Sequence, residues 1–246
     1  MADARRPVVA NSLLTTLPAT DFAAVEPHLE QCHLPKGSVL AKPGEPIDGI
    51  YFLTRGIGSV IVVTRDARRA EAGLFGYDGY VPAHAAAGSK LSPHEVVVQV
   101  EAEAYRLDFE TFGRLMSDCQ SFRTVVLRSV AEFANQLSYT AASNALHDLV
   151  ERLARWLLMC HDRVSGNELF LTHDFIALML GVRRPSVTTA LHILEGSHFI
   201  RSERGLITIR DRRGLEEFAM DAYGAAERIN RGEIKEAPGL GIDRVF

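Results

Sequence analysis

The feature that most restricts the fold of this 246-residue chain is a proline-free run between Pro93 and Pro185 in which the apolar period changes. Phe122, Val126, Val130, Phe133, Leu137 and Ala141 recur at spacings of three and four, continued less regularly by Leu149, Leu153, Trp156 and Leu157. The run permits a helix of roughly 30 residues or more, against a mean of about 12 in globular proteins. A helix that long either crosses a large core or forms a seam between subunits. The region before it is small and reads as β, so a seam is expected, carried by Val126, Val130, Phe133, Leu137 and Ala141. Ser138, Thr140, Ser143 and Asn144 make the middle of the helix more polar than a simple buried core. A bend is expected near His147-Asp148.

Upstream, Leu13, Leu17, Phe22, Val25 and Leu29 give residues 12–31 a helical lead-in, interrupted by Pro18 and Pro27. Short apolar segments follow: Val39-Leu40, Ile50–Leu53, Ser59–Val63, Gly73–Phe75, Val96–Val100 and Ala104–Leu107. Turn formers separate them at Pro35-Lys36-Gly37, Pro43–Pro46, Arg55–Gly58 and Gly76–Gly79. Short strands with this punctuation predict an all-β sandwich or barrel, and no helix intervenes to build a parallel α/β sheet.

The net charge of −4 hides an asymmetry. Residues 171–213 carry seven Arg against four acids, whereas residues 1–120 and 214–246 are each acidic on balance. A short basic segment in an acidic molecule can still bind phosphates, because local potential decides. Cys32, Cys119 and Cys160 form no CxxC pair and no disulfide framework. No apolar run reaches the roughly 18–20 residues of a membrane helix, and the N-terminus lacks the apolar segment of a signal peptide. A cytoplasmic protein without membrane association is expected.

The most specific signal lies in residues 172–195. Thr172 is an N-cap candidate, Asp174 complements the helix dipole, and Ile176, Ala177 and Leu180 supply an inward face. Gly181 falls where a left-handed residue would end the helix, and Val182 plugs the turn. Pro185 suits the first position of a second helix, whose Val187, Leu191 and Leu194 point inward. Thr172, Arg183, Arg184, Ser186, Thr188, Thr189 and His192 are then the candidate DNA contacts, being cationic or hydrogen-bonding. A hairpin over 199–209 and a helix over 214–223 complete a helix-turn-helix with a wing. The tail after Ala225 is short of large apolar residues and is expected to be loose.

The run Leu171–Leu191 resembles the winged-helix domain of the Crp/Fnr family of bacterial transcription regulators. Pro35-Lys36-Gly37, Pro43-Gly44-Glu45, Ile50–Leu53 with Arg55-Gly56, and Gly76–Gly79 resemble that family's cyclic-nucleotide-binding-like domain. The resemblance implies an α+β chain: a β-roll (jelly-roll-like) effector domain over 12–120, a long dimerisation helix over 121–160, a winged helix-turn-helix over 161–223 and a flexible tail over 224–246. It further implies a homodimer whose recognition helices enter successive major grooves of double-stranded DNA about 34 Å apart, on a palindromic site. RNA polymerase and an unknown small-molecule effector are further candidate partners. No cofactor, metal site or enzymatic activity is expected.

By the same resemblance, Arg184 stands at an early recognition-helix contact. Pro185 and Thr189 replace the base-reading glutamate and arginine of the best-known members, so the half-site should differ from theirs. Members that bind cyclic AMP hold the phosphate with a Gly-Glu-Leu segment and an Arg-Ser or Arg-Thr pair. The corresponding stretch here, residues 79–94, has neither glutamate nor arginine, so dependence on cyclic AMP is not expected. Gly76, Gly79, Tyr80, His84, Lys90, His94 and Ser138 are the candidate effector pocket. Two alternatives remain: a ligand- or partner-binding β-roll whose helix-turn-helix contacts protein, and a cupin-like metalloenzyme. The histidines show none of the spacing the second requires.

Overall fold

The computed structural model describes residues 11–230. The lead-in forms α1 (Ser12–Thr15), α2 (Ala19–Val25) and a single 3-10 turn, Glu26–His28. Five strands follow: β1 (Glu30–Leu34), β2 (Val39–Ala41), β3 (Gly49–Val63), β4 (Arg69–Phe75) and β5 (Glu95–Asp108). They pair antiparallel in the order β1-β5-β3-β4, with β2 also on β5. Glu30 and Gln31, read as the end of the helical lead-in, instead lie in β1 opposite Arg106 and Tyr105.

The largest departure in this half is the length of β3 and β5. Arg55–Gly58, expected as a turn, is a set of bulges within β3, where the register against β5 shifts between Leu53 and Gly58. Gly56 takes φ +90°, and a Cβ there would meet the Glu101 carbonyl oxygen at 2.6 Å. Glycine therefore bends the strand without breaking it. Alternate residues then serve opposite faces: Ile50 and Phe52 pack with α1, α2 and the helices that follow, whereas Leu53 and Val60 pack with Val96, Val98 and Phe75.

After β5 come α3 (Phe109–Asp118), α4 (Gln120–Leu146) and α5 (Leu149–His161). The long helix expected over 121–160 is thus two helices. His147 leaves helical geometry, and Asp148 starts α5 by accepting from the Val150 and Glu151 N–H groups while Glu151 accepts from Asp148 N–H. This capping box makes the break a new helix start rather than a bend.

The chain ends in β6 (Glu168–Leu169), α6 (His173–Leu180), α7 (Arg184–Gly196), β7 (Ile200–Glu203), β8 (Leu206–Ile209), α8 (Arg212–Ala219) and α9 (Ala225–Asn230). β6, β8 and β7 form a three-stranded sheet in that order. The loose tail expected over 224–246 is contradicted over its first seven residues. α9 docks on α4, with Ala226 buried and Asn230 bonded to Asn135 and to the Glu132 carbonyl. Small residues suffice for so close an approach, so the scarcity of large apolar side chains misled. Residues 231–246 lie outside the described residues. Among the described residues no helix is long and apolar enough to cross a membrane.

Candidate nucleic-acid interface and effector cavity

α6 and α7 are joined by a glycine turn. Thr172 caps α6 by accepting from Phe175 N–H. Gly181 takes φ +65°, and the Val182 N–H reaches back to the Ala177 carbonyl at 3.0 Å, closing the helix end. Arg152 of α5 donates to the Leu180 carbonyl at 2.8 Å, adding a cation at the negative end of α6. Ile176, Ala177, Met179 and Leu180 face Val187, Ala190, Leu191 and Leu194 in a core shared with α5 and the wing.

α7 starts one residue earlier than expected. Arg183 is the N-cap, with no side-chain cap bond, and Pro185 sits in the first turn behind Arg184. Arg183, Arg184, Ser186, Thr189 and His192 are exposed, as is Thr172. Thr188 is different: it is half-buried, and its hydroxyl meets His173 Nδ1 at 3.0 Å and donates to the Arg184 carbonyl. It ties α6 to α7 rather than facing outward. Arg184 lies 3.4 Å from Asp174, an exposed pair of little energetic weight that a phosphate can displace.

Three further groups on α7 and the hairpin after it are exposed. Ile193, one turn after Thr189, is 45% exposed, an apolar side chain suited to a thymine methyl. Arg201 and Arg204 are exposed on the β7–β8 hairpin, with Arg204 at its tip. The count of seven arginines over 171–213 already held the wing signal. Ile193 was hidden because apolar residues were assigned inward by default.

The expected effector pocket does not assemble as one site. Gly79 and Tyr80 line a cavity of about 430 Å³, between the residues 75–83 segment, α4, the end of α5 and α9. His84 and His94 lie against one another instead, ring centroids 5.1 Å apart, and burial with the neighbouring His84 keeps His94 below the usual histidine range. Lys90 is exposed, Gly76 packs against the Arg163 side chain, and Ser138 is on an open face of α4, bonded to its own helix at Ala134. Among the described residues no group of three His, Cys, Asp or Glu side chains is arranged to hold a metal ion.

The expected seam also redistributes. Val126 is 1% exposed, within the core formed by Phe52, Phe112 and Phe122 of its own chain, and Val130 packs against that core. Phe133 lies over Gly73 of β4, and Gln136 pairs with both backbone groups of Leu74. Leu137 is half-buried at the edge, and Ala141 is exposed.

The two halves meet through polar groups as well as apolar ones. Glu71 of β4 accepts from Ser59 and, at 2.7 Å, from Trp156 Nε1 of α5. Its carboxyl is enclosed although the residue keeps some open surface, and burial pushes its pKa up to about 7. Arg155, 5% exposed, has Nε and one terminal nitrogen without partners among the described residues. Arg163 Nη2 reaches Asp78 Oδ2 at 2.6 Å.

Comparison with known proteins follows this division. Residues 31–119 match the model of the cyclic nucleotide-binding domain, and residues 151–218 match the Crp-like helix-turn-helix domain. The cAMP-activated global transcriptional regulator CRP of Pasteurella multocida is 24% identical over 216 residues, covering 80% of this chain and 98% of that one. A Crp/Fnr-family regulator from Eubacterium rectale superposes with a TM-score of 0.65 at 19% identity, covering 85% and 97% of the two chains. The c-di-GMP responsive regulator CLP of Xanthomonas campestris gives 0.63 at 17%, covering 78% and 99%. At such identities the structural likenesses speak to the fold.

Proposed function

The chain belongs to the Crp/Fnr family of DNA-binding transcription regulators, and from that premise we propose that it acts in the cytoplasm as a homodimer reading a palindromic site without cyclic AMP. The observation that carries the DNA-reading part is the exposed strip of α7, where Arg184, Ser186, Thr189, His192 and Ile193 face outward, with Arg201 and Arg204 of the wing also exposed. Arginine donates bidentately to guanine, hydroxyls serve bases or phosphates, and the wing arginines suit the backbone. Thr172 and Arg183 sit at the helix ends, where phosphates approach backbone N–H groups. No catalytic step belongs to this reading.

Dimerisation is supported by a second face of α4, opposite the one packed on its own β-domain. Leu127, Ala131, Ala134, Ser138, Ala141 and Ala145 are all exposed, and their spacing alternates four and three. That is heptad spacing, and small side chains let a second α4 approach closely. Leu127 alone leaves 49% of its surface open. The seam therefore runs on this stripe, with Ala141 the member shared with the sequence expectation.

Independence from cyclic AMP is supported by the residues 79–94 segment. Its titratable side chains are an exposed lysine, a buried tyrosine and two histidines meeting edge to face, His94 lowered from its ordinary pKa by burial, so the segment itself brings no guanidinium to a cyclic phosphate. Selection of bound duplexes from random DNA by the full chain without nucleotide tests the proposal. An enriched inverted repeat with half-sites about one helical turn apart is expected. Enrichment only after cyclic AMP is added, or of a single half-site, would overturn it.

A further inference from the structure

We infer that the cavity between the residues 75–83 segment, α4 and α9 is a binding site for a small uncharged molecule with an aromatic or apolar body and a hydroxyl or amide group. Its volume of about 430 Å³ falls in the range of small-ligand pockets, about 300–1,000 Å³. Phe75, Tyr80 and Phe133 supply apolar wall. Ser129 of α4 lines it, is 6% exposed, and has no hydrogen-bond partner among the described residues. Ser138 and Thr140 on the same helix do bond back to the preceding turn, at Ala134 and Gln136. The Ser129 oxygen is not enclosed by protein atoms but faces the open space of the cavity, where a ligand group can pair it.

The charge pattern selects the ligand class. Arg163 is paired with Asp78 at 2.6 Å, whereas Arg128 and Glu132 make an exposed pair at 3.0 Å. Asp162 is held by Arg212 and by the Tyr223 hydroxyl, both at 2.7 Å. Glu227 accepts the Gly224 N–H and faces the Arg155 charge. Apart from the exposed Arg128–Glu132 pair, the charges on the described residues that line the cavity already have partners, and a charged ligand entering deeper would be partly buried without a fixed opposite charge reserved for it. A neutral one meets the hydroxyl and the rings without that cost.

Leu13 and Thr16 on one side, and Ala226, Glu227 and Asn230 on the other, lie outside both segments that match family models. The site opens on the face of α4 opposite the Leu127–Ala145 stripe, so a partner helix on that stripe leaves it free. Its walls come from the β-domain, α4 and the C-terminal half together, so an occupant would bear on how these three sit.

Equilibrium dialysis of the full chain, without DNA, against 4-ethylphenol, phenethylamine and 3-phenylpropionate tests the inference with three single-ring compounds of similar size, neutral, cationic and anionic. Saturable binding of 4-ethylphenol, tighter than either charged analogue by about tenfold or more, is expected. Gly79→Leu should abolish it: a Cβ at Gly79 makes ordinary contacts of 3.9 Å with Phe75 and Ser129, so the added side chain starts from unstrained space into the cavity. If that variant fails to fold, Ser129→Leu fills the same space from the α4 side. Tighter binding of a charged analogue, no saturable binding of the neutral one, or binding unaffected by filling would overturn the inference. Any effect of occupancy on DNA affinity rests on the regulator reading above, whereas dialysis without DNA tests the site by itself.

Discussion

Replacing Glu71 with glutamine probes the contact between the β-domain and α5. Glu71 is enclosed with Ser59 and Trp156 as hydrogen-bond partners, and burial raises its pKa from 4.5 to about 7. The folded state therefore holds a proton that the unfolded state has already released between those two pH values. Stability contributed at this site falls as pH rises through that window and is flat on either side. At 1.36 kcal/mol per pKa unit the shift is worth about 3 kcal/mol at most, the residue keeping some open surface. A glutamine side chain cannot ionise, so the Glu71→Gln variant should gain about that much on the wild type between pH 5 and pH 8. Urea unfolding followed by Trp156 fluorescence is the assay, because Trp156 is the single tryptophan and its indole N–H donates to Glu71. Parallel pH profiles for the two proteins would refute the reasoning.

Four other substitutions follow from the geometry. Gly181→Ala forces a side chain into φ +65° and should lower the stability of the C-terminal half by about 1 kcal/mol, read by thermal unfolding; an unchanged midpoint would count against the turn. Arg184→Ala should weaken binding to a selected duplex by about 1–3 kcal/mol and relax preference at one base position, measured by fluorescence anisotropy. Ala134→Glu should yield monomers in sedimentation while leaving the fold intact. Val126→Glu should instead unfold the β-domain, since Val126 is buried in its own core; the reverse pattern would restore Val126 to the seam.

Local signals proved legible where a residue type answers one physical demand. Thr172, Gly181 and the inward residues of α6 and α7 stand out because caps, left-handed turns and apolar periods each admit few residues. The bulges at Arg55–Gly58 did not, because glycine that bends a strand and glycine that ends one look alike until the partner strand is in place. Val126 and Val130, expected in the seam, pack within their own chain for a related reason. α4 is apolar on two faces, and the larger side chains of the Val126 face drew attention from the alanines opposite. Which face meets the β-domain depends on tertiary packing, which spacing alone does not encode. The cavity is assembled from segments far apart in sequence, so only Gly79 and Tyr80 were foreseen.

The central claim, a dimer that grips DNA through two α7 helices, is tested most directly by sedimentation of the full chain on its selected duplex across a salt series. Two chains per duplex are predicted, with log affinity falling linearly and steeply as log salt rises, because several phosphates are neutralised. One chain per duplex, or affinity indifferent to salt, would contradict it.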